Sequence, residues 1–169
     1  MRGGKLHALR TSKPLENKMN VILTSMCCGK TFLEKHSTKY FDFDIFANVK
    51  TRRQIAVVRQ MISDFARNCD NENIYLFNMD RFYKFGLDTV PFIKIVEAAV
   101  PEESAFEYFL NLYKDRELKE NGGTRERAYN CFKKSLVSNL EKARELETKG
   151  IKVHYLKYGE NIKYLLRGI

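Results

Sequence analysis

The sequence has no apolar run near the roughly 20 residues that a membrane-spanning helix requires, and its basic start lacks the continuous apolar segment of a secretory signal. These absences argue against a spanning helix and lead to the expectation of a cytoplasmic protein with no membrane partner. The four cysteines, Cys27, Cys28, Cys69 and Cys131, include no CxxC pair and no second cluster. Neither a zinc site nor a disulfide framework follows from them, and free thiols in a reducing compartment fit better. His7, His36 and His154 are isolated, so no ligand set, Ser-His-Asp or Cys-His constellation can be argued. Internal repeats are also missing.

What is present is an ordinary globular composition: 169 residues, 44% hydrophobic and 30% charged, with twelve Phe and nine Tyr available for a core. That length suits one α/β domain. The formal charge of +9 would suit a polyanion, either nucleic acid or nucleotide phosphates. Arg2, Lys5, Arg10, Lys13 and Lys18 against Glu16 give residues 1–18 a net +4, and the other +5 is spread along the chain without a dense basic stripe. Nucleic acid is therefore a possible partner but not the favoured one. Residues 1–18, with Gly3, Gly4, Ser12 and Pro14 and no apolar period, are expected to form a mobile basic extension to a domain at 19–169.

From Asn20 short apolar runs alternate with helical periods, the pattern of a parallel sheet with crossover helices. Strands are predicted at 21–23, 40–44, 74–77, 92–96 and 151–156. Ile55, Val58, Met61, Ile62 and Phe65 predict an amphipathic helix over 51–68. Pro101 is read as the first turn of a helix that carries Phe106, Phe109, Leu110 and Tyr113, and the aromatics Phe106, Phe109, Tyr129 and Phe132 are read as core. The charged stretch 114–127 reads as a mobile loop. Tyr129, Phe132, Leu136, Leu140 and Ala143 mark a long helix that Gly150 can terminate, and a short helix is expected over 160–167.

The chemistry-bearing feature is Val21-Ile22-Leu23-Thr24-Ser25-Met26-Cys27-Cys28-Gly29-Lys30-Thr31. A strand, a loop and then Gly-Lys-Thr opening a helix is the arrangement in which backbone N–H groups cradle phosphates, lysine reaches the terminal phosphates and threonine coordinates Mg²⁺. Ser25, Met26, Cys27, Cys28, Gly29, Lys30 and Thr31 are accordingly candidate ATP-binding residues. Thr24 stands where the pattern has its first glycine, and the alternative is an ordinary βα unit capped by a common tripeptide. Cys27 and Cys28 adjoin a helix start and a lysine, surroundings that lower a thiol pKa and would suit a redox switch; small side chains filling a loop are the favoured account.

Asp42 and Asp44 share one face of a predicted strand, because strand side chains alternate. At a carboxyl strand end they can hold Mg²⁺ through water or orient an attacking hydroxyl, or they can simply meet solvent. Asp80 either supports the metal or caps a helix starting near Arg81. Phosphoryl transfer builds negative charge, which arginines on a closing segment offset. Arg116 and Arg125 flank Gly122-Gly123 and make 114–127 a candidate lid, with a solvated charged loop as the alternative.

The chain resembles a family of small phosphate-loop proteins, related to nucleotide kinases, that occurs in phages and bacteria. The residues that carry the resemblance are Gly29-Lys30-Thr31, Asp42-Phe43-Asp44, Ile74 to Asp80, Phe92 to Pro101 and Tyr113-Lys114-Asp115-Arg116, with Asn139 in the helix after the lid. It spans about residues 19–168. It implies a three-layer α/β fold around a five-stranded parallel sheet ordered 2-3-1-4-5, with Mg²⁺-ATP-dependent phosphorylation of a nucleotide, nucleoside or similar small acceptor. On it, Lys30, Asp44, Arg116 and Arg125 are the expected catalytic residues, and Thr31, Asp42 and Asp80 the expected metal ligands. Residues 81–91 show no recognisable acceptor-binding pattern. A non-catalytic nucleotide-binding protein and a nucleic-acid end kinase are the rival readings.

Overall fold

A computed structural model describes residues 19–35, 38–43, 49–122 and 125–162. In chain order the elements are β1 (Met19–Thr24), α1 (Lys30–Lys35), β2 (Tyr40–Asp42), α2 (Arg52–Asn68), β3 (Ile74–Asn78), α3 (Met79–Lys84), β4 (Ile93–Pro101), α4 (Phe106–Asn121), α5 (Glu126–Thr148) and β5 (Lys152–Leu156). All five strands are parallel, in the order β2-β3-β1-β4-β5. The expected α/β architecture and strand order are both present.

Alternation along the central strands builds the layers. Val21, Leu23, Tyr75, Phe77, Ala98 and Val100 face one core, where they meet Val58, Ile62 and Ala66 of α2, Phe82 of α3 and the second half of α5. Ile22, Leu76 and Ala99 face the other, against Phe109 and Tyr113 of α4 and Phe132 and Leu136 of α5. Both faces are covered, as a parallel sheet requires. Of the aromatics assigned to the core, Phe109 and Phe132 are buried, and Phe106 and Tyr129 are half-buried against it.

The helix predicted over 51–68 starts where Thr51 and Gln54 form a reciprocal capping box: Gln54 N donates to Thr51 Oγ1 at 3.1 Å and Thr51 N to Gln54 Oε1 at 3.0 Å. Its buried stripe is narrower than its apolar one. Val58 and Ile62 are buried whereas Met61 is 55% exposed, because the helix lies beside a three-residue edge strand too short to cover its whole apolar face.

Two expectations are corrected. The fourth strand is Ile93–Pro101, five residues past the predicted end, and Pro101 lies opposite Leu156 in the sheet rather than opening a helix. Glu97 hid the second half of the strand. The charged stretch from Lys114 is not a loop: α4 continues to Asn121, and Gly122, with φ of 73°, ends it by donating to Leu118 O at 3.1 Å. The i,i+4 pairs Tyr113–Glu117 and Arg116–Glu120 turn those charges into helix-supporting contacts. The extension 1–18 and the end of the expected helix at 160–167 lie outside the described residues.

Candidate functional site

β1 occupies the centre of the sheet, and the chain crosses to β2 and β3 on one side and to β4 and β5 on the other. The carboxyl end of β1 is therefore a topological switch point, where open α/β sheets place their ligand crevice. Residues 25–29 form the loop at that point, between β1 and α1.

Two backbone features shape this loop. Cys27 adopts a left-handed conformation with φ of 65°, and Gly29 one with φ of 98°. For Gly29 the conformation, not space, calls for glycine, because an added Cβ would meet Asn161 only at 3.5 Å, an ordinary contact. At Cys27 the same conformation is strained by about 1 kcal/mol or more. Ile162 N donates to Cys28 O at 3.0 Å, which ties the loop to the segment after β5.

Lys30 opens α1 with only 8% of its surface exposed, so its ammonium is held against the loop rather than in bulk water. Arg116 arrives from α4, where its guanidinium donates to the Cys27 thiol, and Glu120 Oε1 accepts from its Nε at 3.2 Å. Tyr113, one turn earlier, stacks on Phe132 with ring centroids 4.7 Å apart and fixes α4 against α5. That packing aims Arg116 at the loop.

Of the two accounts of the thiols, the loop-filling one fits. Burial pushes the Cys27 thiol up in spite of Arg116 and Lys30, and pushes Cys28 up to about 12. Desolvation outweighs the neighbouring cations, so these are protonated, loop-filling side chains. Cys28 Sγ donates to Met26 O at 3.6 Å.

A polar chain runs beneath the loop. Asn139 of α5, 1% exposed, donates through Nδ2 to Ser25 Oγ at 2.8 Å and to Ser135 Oγ at 3.4 Å, and Ser135 donates to Asp80 Oδ2. Asp80 has an exposed outer edge, while burial of its inner side raises its carboxyl above the usual range against the opposing pull of Ser135 and Arg81. The cap of α3 is Asn78, whose Oδ1 accepts from Arg81 N at 3.2 Å, so Asp80 is not the cap. Thr24 Oγ1 and Asn139 Oδ1 are buried with no hydrogen-bond partner among the described residues.

The structure thus brings Ser25, Met26, Cys27, Cys28, Gly29, Lys30 and Arg116 together at one end of β1. Asp42 is half-buried at the end of β2, and its backbone N–H donates to Glu34 Oε1 of α1 at 3.0 Å. Arg125 is exposed at the N-cap of α5, where its carbonyl accepts from Tyr129 N at 2.9 Å. Asp44 and the side chain of Thr31 lie outside the described residues. Ser135 was missed by the sequence reading, and Asn139 entered it only through the resemblance. The available signal was a polar pair at i,i+4 beside the apolar period of Phe132, Leu136 and Leu140. His154 is not isolated: its Nε2 lies 2.8 Å from Glu97 Oε2 across β4 and β5.

Among the described residues no group of three or more His, Cys, Asp and Glu side chains could hold a metal, and no helix is long and apolar enough to cross a membrane. No protein-family model, curated protein or solved structure matches the chain.

Proposed function

We propose that the β1–α1 loop binds the phosphates of ATP and that the protein transfers a phosphoryl group to a nucleotide, nucleoside or similar small acceptor. The observation that carries this reading is Lys30, a nearly buried ammonium at the end of a strand–loop–helix unit on the switch point of the sheet. A lysine at a helix start beside a strand-end loop is placed where it would reach phosphate oxygens cradled by the loop. The loop's left-handed residues turn the backbone back on itself, as anion-binding nests do.

Arg116, already in contact with the loop, would offset charge on the transferring group, and Arg125 at the start of α5 would join it if that end of the helix closes. Thr31 and Asp42 would hold Mg²⁺, the latter through water, and the ion would neutralise phosphate charge when bound. Asp44 would orient or deprotonate the acceptor hydroxyl. Asp80, whose carboxylate already accepts from Ser135, receives no part in holding the metal. A cytoplasmic location, with free Cys27, Cys28, Cys69 and Cys131, belongs to the same reading.

One observation favours a second reading, nucleotide binding without turnover. Thr24 ends β1 with an unpartnered hydroxyl among the described residues, and Cys27 takes a conformation that glycine would adopt without strain. A loop built this way can hold phosphates yet place them poorly for transfer.

The deciding experiment follows ADP release from Mg-ATP in the presence of nucleosides, nucleoside monophosphates and 5′-hydroxyl oligonucleotides, with Lys30→Ala as the blank. Acceptor-dependent ADP supports transfer and names the acceptor class; stimulation by oligonucleotides alone would favour a nucleic-acid end kinase. A melting temperature raised by ATP with no acceptor-dependent ADP would favour the binding module. Equal activity in a folded Lys30→Ala protein would end the assignment.

A further inference from the structure

We propose that Asn139 is a positioning residue for the β1–α1 loop, and that Asp80 serves it as a hydrogen-bond anchor rather than as a metal ligand; this rests on the nucleotide-binding reading. Ser25 and Asn139 are separated by 114 residues in sequence, yet both are almost wholly buried and 2.8 Å apart. The contact therefore fixes the loop to α5 across the interior of the fold.

The direction of each hydrogen bond follows from the donor inventory. An asparagine amide carries two protons. Those of Asn139 go to Ser25 Oγ and to Ser135 Oγ, and the Ser135 hydroxyl proton goes to Asp80 Oδ2. Turning the Asn139 amide over would set its carbonyl oxygen against the lone pairs of a serine already committed to Asp80. The carboxylate thus sets Ser135, Ser135 sets Asn139, and Asn139 sets the rotamer of Ser25, the first residue of the loop. Since Ser25 Oγ accepts from Asn139, its own proton remains a donor for another group.

A second observation separates this role from simple packing. A structural amide ordinarily satisfies its carbonyl oxygen too, yet Asn139 Oδ1 and the adjoining Thr24 Oγ1 are buried without partners among the described residues. Polar groups retained at such a cost beside a loop of this shape indicate a place where the loop's geometry is specified rather than merely filled. For Asp80, one carboxylate oxygen is engaged by Ser135, and it is part of no metal-ligating trio among the described residues.

Two substitutions separate the roles. Asp80→Asn keeps an oxygen that accepts from Ser135 but removes the charge a magnesium ion would use. Ser135→Ala keeps the carboxylate and breaks the chain, and Ser135 is only half-buried, so the variant folds with little loss. Mg-ATP is titrated into wild type, Asp80→Asn, Ser135→Ala, Asn139→Leu and the Ser135→Ala/Asn139→Leu double variant, each with its melting temperature without nucleotide and its half-saturating magnesium.

The expected affinity losses are about tenfold for Asn139→Leu and about fivefold for Ser135→Ala. The double variant should be no worse than Asn139→Leu alone, because the two act in series. Asp80→Asn should stay within about twofold, with half-saturating magnesium unchanged throughout. A large loss and a raised magnesium requirement in Asp80→Asn, with Ser135→Ala like wild type, would make Asp80 a metal ligand and overturn the inference. A lowered melting temperature with unchanged affinity would leave Asn139 a packing residue. Should Asn139→Leu not fold, Ser135→Ala and Asp80→Asn decide between them. If wild type binds no Mg-ATP, the nucleotide reading has failed and this inference falls with it; if wild type binds and the chain variants bind equally, only this inference fails.

Discussion

The two ends of the sheet each contain polar groups, but they arrange them differently. At the amino end, Asn20, Lys39, Asn73 and Glu97 line an open cavity of about 750 Å³. Glu97 lies 2.8 Å from His154, strand to strand, and both groups belong to the sheet. At the carboxyl end the polar groups come from a loop, two helix starts and two long helices: Ser25, Lys30, Asp80, Arg116 and Asn139 are drawn together from parts of the chain far apart in sequence. The contrast is one of assembly: the carboxyl end draws a lysine, an asparagine and a left-handed loop residue together from distant segments, whereas the amino end pairs neighbouring strands.

Substitutions at the two ends should separate cleanly. The largest effect is expected from Lys30→Ala, with acceptor-dependent ADP release falling by about 10²–10³, the range for loss of one preorganised charge-stabilising group; steady-state kinetics check it, and circular dichroism should show the fold retained. Arg116→Ala should follow with a loss of roughly tenfold in the same assay. It should also change the reactivity of Cys27 toward a thiol reagent, because the guanidinium now covers that thiol. At the other end, His154→Ala should lower stability by about 1 kcal/mol in urea unfolding, the scale of one part-buried hydrogen bond to a charged group, and leave Mg-ATP affinity unchanged. An affinity change there would break the division between the ends.

The smallest effect concerns pH. The folded carboxyl of Asp80 is raised above its ordinary value, first by burial. A raised carboxyl retains its proton longer in the folded state than in the unfolded one, so its contribution to stability is fully present below the ordinary carboxylate range and is lost as pH rises through the folded value. Asp80→Asn removes that loss. Its melting temperature should therefore gain on wild type as pH is raised from below 4 toward neutrality, and a gap that shrinks over that range would show the opposite sign.

Much of the fold was legible in the sequence. Short apolar runs between helical periods gave a parallel sheet, and the helical spacing of Ile55, Val58, Met61, Ile62 and Phe65 marked α2. The strand order came with the family resemblance rather than from the pattern itself. What the pattern misread had local causes. Glu97 inside β4 and Pro101 at its end looked like the close of a strand and the start of a helix, because neither residue type suits a central strand. The charges of 114–121 looked like a loop, because pairs such as Arg116–Glu120 favour helix only once the chain is already wound.

For the site, residues contiguous in sequence were readable and convergent ones were not. The loop from Ser25 to Lys30 could be seen at once, and Arg116 was singled out for its charge. Ser135 carries no motif, and its place between Asp80 and Asn139 exists only after α3 and α5 have packed. The thiols of Cys27 and Cys28 are the loop-filling side chains that the sequence favoured, although the size of the burial that keeps them protonated is not visible in a sequence, where only the neighbouring cations show.

The measurement that bears most directly on the account is calorimetric titration of Mg-ATP into wild type and into Lys30→Ala. Saturable binding to wild type that disappears in the folded variant is the expected result. No binding to wild type, or equal binding by the two, would show that the β1–α1 loop is an ordinary strand-to-helix connection and that the convergence at the carboxyl end serves the fold alone.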